Sequence, residues 1–179
     1  MKVISGIYKG RKIEGFNIDG TRPTMDRVKE SLFAMIQNEI KDSTILDLFA
    51  GSGNLGIEAL SNGAKYAYLV DKNFKAVDTI NRNINNLGID NCKVIKNDYK
   101  NALLYFYENN IRFDLIFLDP PYKTDFIEKS INLITEYNLL NDNGLIIAES
   151  DTIDRIVYSD KYNCVKNKKY GDKWVVILK

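Results

Sequence analysis

The 179-residue chain contains no histidine. That removes Ser-His-Asp and Cys-His triads, imidazole metal ligands and the commonest general base. Any chemistry must therefore rest on carboxylates, Lys, Tyr, backbone groups or a bound cofactor. The two cysteines, Cys92 and Cys164, lie far apart without metal-type spacing. Neither a disulfide framework nor a metal site is indicated, and a reducing cytoplasm is the simplest expectation. No apolar run approaches the roughly 18 residues that a membrane-spanning helix needs. The start, MKVISGIYKGRK, lacks the apolar stretch of a signal peptide. Only three prolines occur, and two of them are adjacent.

What is present is ordinary in bulk: 45% hydrophobic and 27% charged residues, in a length that suits one domain with a real apolar core. The net charge of +1 hides a division. Residues 1–30 carry +3, residues 31–160 carry −7 and residues 161–179 carry +5. Lys2, Lys9, Arg11 and Lys12 fall within the first twelve residues, where there is no acid. Basic ends on an acidic middle suit a polyanionic partner touching the termini. Solvated strand edges give the same pattern, and charge alone does not decide between them.

From residue 44 short apolar runs alternate with stretches of helical period: TILDLF then NLGIEALSNG, YAYLVD then FKAVDTINRNINNLG, CKVIKND then an amphipathic stretch to about Asn109, DLIFLD then TDFIEKSINLITEYN, and GLIIAES. Val77, Ile80, Ile84 and Leu87 share one helical face, as do Ile127, Ile131 and Ile134. Continuously apolar strands indicate burial on both faces. The expectation is an α/β fold with a doubly wound, mostly parallel seven-stranded sheet. Two additions flank this 44–179 core. KVISGIYKG and RKIEGF suggest a small N-terminal hairpin within residues 1–20, and a leading helix is expected over about Met25–Ile40, within 21–40. Thr24 is its candidate N-cap, with Pro23 blocking propagation upstream. At the other end YNCVKNKKYGDKWVVILK reads as two antiparallel strands around a Gly-Asp turn.

ILDLFAGSGNLGIEAL places Gly51, Gly53 and Gly56 between a predicted strand and a predicted helix, as G-x-G-x-x-G. Such glycines permit a tight turn and close approach of a ligand to backbone. Asp71 ends the next strand, where a carboxylate can accept ribose hydroxyls. Asp47 puts an acid at the mouth of the loop, which suits a ligand ammonium and suits a pyrophosphate badly. Asp98 ends the third strand and could accept from an adenine amino group. Each acid alone could be a helix cap. Three in phase with strand ends outline a ligand with an amino-acid head, a ribose and an adenine, and S-adenosylmethionine fits.

The fourth strand ends in Asp119-Pro120-Pro121-Tyr122. Neither proline can donate to a ladder, so the strand stops there. The pattern suits methylation of an exocyclic amine on a base. That nitrogen is a poor nucleophile while its lone pair is delocalised into the ring. Two acceptors, the Asp119 carboxylate and the Pro120 carbonyl, can hold its protons, and Tyr122 offers a face for an extruded base to stack on. The plainer alternative is a strand terminator with a packed tyrosine.

On RPTMDRVKESLF (22–33), FAGSGNLGIEALSNGA (49–64), LDPPY (118–122), IAES (147–150) and KYGDKWVVIL (169–178), the chain resembles the RsmD family of class I SAM-dependent methyltransferases. These act on guanine N(2) of bacterial 16S rRNA. The resemblance implies S-adenosylmethionine at Asp47, Gly51, Gly53, Asp71 and Asp98, with the target amine at Asp119, Pro120 and Tyr122. It also implies that the hairpin and the Arg22-Pro23-Thr24 segment face RNA beside the active site. Lys2, Lys9, Arg11, Lys12, Arg22 and Arg27 are then candidate phosphate contacts, with Lys166, Lys168 and Lys169 extending the patch. Arg27 could instead pair with Asp26 or Glu30 on its own helix. The expected partner is 16S rRNA within an assembled or partly assembled small subunit, with the enzyme a cytoplasmic monomer. Alternatives are a DNA adenine-amino methyltransferase, a protein-glutamine methyltransferase, a non-catalytic RNA-binding module with a vestigial pocket, and an NAD oxidoreductase.

Overall fold

A computed structural model of the chain describes residues 1–15 and 23–179, the side chains of residues 23–25 excepted. Two helices, α1 (Pro23–Met35) and α2 (Gln37–Ile40), precede the alternating core. The core runs β1 (Thr44–Asp47), α3 (Asn54–Ser61), β2 (Tyr66–Asp71), α4 (Phe74–Leu87), β3 (Cys92–Lys96), α5 (Tyr99–Glu108), β4 (Phe113–Leu118), α6 (Phe126–Glu136) and β5 (Leu140–Ser150). A 3₁₀ turn (Ile153–Arg155) then leads to β6 (Cys164–Tyr170) and β7 (Lys173–Leu178).

The seven strands form one sheet in the order β3-β2-β1-β4-β5-β7-β6. The first five are parallel, and β7 inserts antiparallel between β5 and β6. The expected doubly wound sheet and its C-terminal antiparallel pair are both present. Chain order reverses at β1, with β2 on one side and β4 on the other. In an open α/β sheet that switch point, at the carboxyl ends of the strands, is where ligands bind.

Alternation along each strand feeds two cores. Ile45, Leu115, Phe117, Leu145 and Ile147 point to one face, where they meet α1, α3 and α4. Leu46, Ile116, Leu118, Ile146 and Ala148 point to the other, against α5 and α6. Both faces are covered, which is why the strands read as unbroken apolar runs. Local chemistry sets the helix ends. Asn73 caps α4 by accepting from Lys75 N at 2.9 Å, and Gly88, at φ 69°, ends it as Ile89 N donates back to Ile84 O.

Two expectations for the leading helix are corrected. Pro23 occupies the first helical position, where its missing N–H costs nothing, so Thr24 lies inside the helix and is not its N-cap. The stretch to Ile40 is also two helices, because Ile36 leaves helical geometry at φ −113°, ψ 15°. Ahead of them, residues 1–15 form a small hairpin, held by a Lys2–Lys12 bridge and by bonds joining Val3 to Arg11 and Met1 to Ile13, and the remainder of the expected extension, residues 16–20, lies outside the described residues.

Candidate active site

A cleft of about 1220 Å³ opens over the carboxyl ends of β1, β2, β3 and β4. Its floor is the turn between β1 and α3. Gly51 (φ 56°) and Gly53 (φ 80°) both adopt left-handed backbone, which a side chain would strain. Gly53 N closes the turn on Ala50 O at 2.7 Å, and Gly51 N donates to Asp71 Oδ2 at 2.9 Å. Gly51 lines the cleft, whereas Gly53 shapes the turn from beneath. Gly56 serves packing: a Cβ there would stand 2.0 Å from Leu69 Cδ2.

The structure brings the three strand-end acids to this one cleft. Asp47 is 1% exposed. Its Oδ2 accepts from Gly56 N at 3.0 Å, while Oδ1 is buried with no partner among the described residues. Burial pushes its carboxyl up to about 7; the Gly56 N–H opposes this and the Asp71 charge adds to it. Asp71 Oδ1 accepts from Asn73 N at 2.8 Å, which fixes the carboxylate at the rim. Asp98 is the cap of α5, as its place after a strand allows. Its Oδ1 accepts from Lys100 N and Asn101 N, and Oδ2 from Asn101 Nδ2. A buried carboxylate oxygen without a donor is costly, and an ammonium is the kind of group that relieves the cost. That orphan oxygen, with two further carboxylates spaced along the strand ends, fits S-adenosylmethionine.

Asp119, Pro120 and Tyr122 line the same cleft. Thr124 Oγ1 donates to Pro121 O at 2.8 Å and closes the loop before α6. Asp119 lies among charged groups. Burial raises its carboxyl to about 8, with Glu149 and Asp47 adding to the rise and Lys173 opposing it. Tyr122 is 41% exposed. Its hydroxyl donates to Glu149 Oε1 at 3.3 Å, and the same oxygen is ion-paired with the Lys173 ammonium. Burial first, against the Lys173 contact, pushes the phenol up to about 12. Burial alone would lower Lys173, but the charges of Glu149 and Asp119 outweigh it and raise the ammonium above its ordinary value.

Glu149 and Lys173 received no role from the sequence. The available signals were a charge inside the apolar run of β5 and a lysine immediately after the Gly171-Asp172 turn. Their meeting depends on the antiparallel register that sets Ser150 opposite Trp174.

The basic candidates are less concentrated. Met1 and Gly15, at the open end of the hairpin, line the cleft. The hairpin tip turns the other way: Ile7 N and Tyr8 N donate to Ser61, the last residue of α3, and Arg11 donates to Asn86 O near the end of α4. Lys9 and Arg11 thus sit towards the end of the sheet away from Asp119. Lys12 is exposed next to them, and Lys166, Lys168 and Lys169 lie on the outer strand β6. Arg27 is exposed and forms no ion pair with Asp26 or Glu30. Arg22 lies outside the described residues, as does the side chain of Thr24.

A seven-stranded α/β sheet with one reversed strand, β7, a glycine turn flanked by acids and a D-P-P-Y loop at the fourth strand end define a class I SAM-dependent methyltransferase. The family model described as Conserved hypothetical protein 95 matches residues 1–179, and the chain belongs to that family, the RsmD family. It is 45% identical over 152 residues to the YlbH protein of Bacillus subtilis, covering 84% of this chain and 83% of that one. It is 35% identical over 173 residues to ribosomal RNA small subunit methyltransferase D of Haemophilus influenzae, covering 96% and 89%. The solved structure of the yhhF protein of Escherichia coli superposes with a TM-score of 0.87 at 30% identity, covering 99% and 96%. S-adenosylmethionine is the cofactor of this class.

Proposed function

We propose that this protein transfers a methyl group from S-adenosylmethionine to the N(2) amine of a guanine in 16S rRNA of the small ribosomal subunit. The observation that carries the reading is one cleft holding both Asp47, with its buried unpartnered oxygen, and the Asp119-Pro120-Pro121-Tyr122 loop. The names of its relatives support rRNA of the small subunit as the substrate.

Asp47 would take the ammonium of the cofactor, Asp71 the ribose hydroxyls and Asp98 the adenine end, over Gly51, with Gly53 holding the turn beneath. When bound, the cofactor supplies an electrophilic methyl on a sulfonium. The rest is the work of this chain. Asp119, acting in its ionised form, and the Pro120 carbonyl accept the two amine protons, which holds the nitrogen lone pair out of conjugation with the ring. Pro120 and Pro121 lock φ, so both acceptors are positioned before the base arrives. Tyr122 presents its exposed ring to the extruded base, a contact worth roughly 1–3 kcal/mol. Lys9, Arg11, Lys12, Arg22 and Arg27 contribute phosphate contacts, and the substrate is an assembled or partly assembled particle met in the cytoplasm by a monomer.

The test is transfer of radiolabelled methyl from S-adenosylmethionine to small subunits lacking their own methylations, followed by nucleoside analysis. Label in N(2)-methylguanosine is expected. Label in methyladenosine would keep the class and overturn the base assignment, and label in protein would overturn the nucleic-acid reading altogether.

A further inference from the structure

Glu149 and Lys173 are a charged pair that the amine-holding chemistry does not use. Their side chains are 12% and 23% exposed, so both have given up most of their hydration. An ion pair of that kind seldom repays its desolvation through stability alone. The pair lies close enough to Asp119 to act on its carboxyl in opposite senses, Glu149 upward and Lys173 downward. Both the Lys173 ammonium and the Tyr122 hydroxyl converge on Glu149 Oε1. Oε2 takes no hydrogen bond among the described residues, and the ammonium, with three protons, keeps a donor to spare. Both residues line the cleft beside the D-P-P-Y loop.

We propose that Glu149 and Lys173 read the ring edge of the base whose amine Asp119 and Pro120 hold: the free Glu149 oxygen accepts the ring N1–H, and the Lys173 ammonium donates to O6. The inference rests on the amine-holding reading above and adds what selects the base. Along the edge of guanine the groups run amine donor, N1–H donor, O6 acceptor. The cleft holds a counterpart for each: acceptors at Asp119 and Pro120, a further acceptor at Glu149 and a donor at Lys173. Adenine held by its amine would turn an N1 lone pair against the Glu149 carboxylate, so the pair attracts one base and repels the other. Tyr122 supports the arrangement twice over, its ring under the base and its hydroxyl fixing Oε1.

The test uses small subunits reconstituted with 16S rRNA that carries either guanosine or 2,6-diaminopurine riboside at the methylated position. The analogue keeps the N(2) amine but replaces the N1–H with a lone pair and O6 with a donor. The wild-type protein is expected to prefer guanosine in kcat/KM by on the order of 100-fold or more. Glu149→Gln, whose amide can donate to a bare N1, is expected to cut that preference at least tenfold, and Lys173→Met to cut it as well, with cofactor affinity retained in both. Equal loss on both substrates, with the preference unchanged, would leave the pair a packing role and overturn the inference. If Glu149→Gln also loses cofactor binding, Lys173→Met and the wild-type preference decide. Wild-type label outside guanosine sinks the proposed function and this inference together. Wild-type label in guanosine without discrimination sinks this inference alone.

Discussion

Lys29 Nζ lies 2.8 Å from Glu58 Oε2, with both side chains shut off from solvent. The pair joins three segments. Lys29, on α1, also donates to Lys2 O at 2.9 Å and to Asn54 Oδ1 at 2.7 Å, so it ties the hairpin to the first residue of α3. Glu58, on α3, accepts from Ile4 N, Ser5 N and Ser5 Oγ. The segment expected to meet RNA is therefore fastened to the helix that follows the glycine turn. Glu58→Ala would strand a buried ammonium and release both backbone donors. A loss of about 3–5 kcal/mol is expected for breaking such a pair. Urea unfolding measures it, with protease cleavage within residues 1–15 as the local readout. A change under about 1 kcal/mol, with the hairpin still protected, would contradict this role.

If Asp47 takes the cofactor ammonium as proposed, binding should depend on pH. Its carboxyl titrates near 7 in the free protein, chiefly through burial, against an ordinary value of 3.8. Between pH 4 and 7 the folded state holds a proton that the unfolded chain has released, so this group's contribution to stability falls as pH rises across that window. A cationic ligand requires the ionised form. Binding at pH 6 should therefore release about one proton, and affinity should fall by up to about tenfold per unit below pH 7 and level off above it, until the ligand's own α-amino group loses its proton at about pH 8. Calorimetric titration at pH 6 in two buffers of different ionisation enthalpy measures the release. Asp47→Asn should abolish it and weaken binding. Zero release in the wild-type protein would mean that the orphan oxygen does not meet the ammonium.

The basic hairpin carries a third prediction. If Arg11 and Lys12 touch phosphates, replacing both with Gln lowers RNA affinity and flattens its dependence on log salt by roughly 0.7–0.9 for each phosphate no longer neutralised. The placement of Lys9 and Arg11 beside the far ends of α3 and α4 makes this a demanding test. An RNA that touches these residues must extend from the cleft around the hairpin, and a short RNA spanning only the target should be insensitive to the substitutions. An unchanged slope on the whole subunit would remove the hairpin from the RNA surface.

Much of this architecture could be read from the chain, for identifiable reasons. Strands buried on both faces must be apolar throughout, so β1, β2 and β4 announce themselves, and a ligand cleft at strand ends makes Asp47, Asp71, Asp98 and Asp119 stand out by phase alone. Local pattern misses what register and packing decide. The break at Ile36 falls inside a stretch of helical period. Thr24 looks like a cap until Pro23 is found already helical. Glu149 and Lys173 lie 24 residues apart on antiparallel strands, and nothing short of the β5–β7 pairing brings them together. Lys29 and Glu58 likewise look like surface charges on two amphipathic helices until the hairpin covers them.

The most direct measurement compares wild-type protein with Asp119→Ala for two quantities side by side: affinity for S-adenosylmethionine, and methyl transfer to unmethylated small subunits at saturating cofactor. Asp119 is placed here as an acceptor for the amine and not as part of the cofactor pocket. Transfer is expected to fall by about 10²–10³-fold, the usual cost of removing one preorganised transition-state contact, while affinity stays within about threefold of wild type. Loss of both in equal measure, or transfer that survives the substitution, would contradict the role assigned to the D-P-P-Y loop.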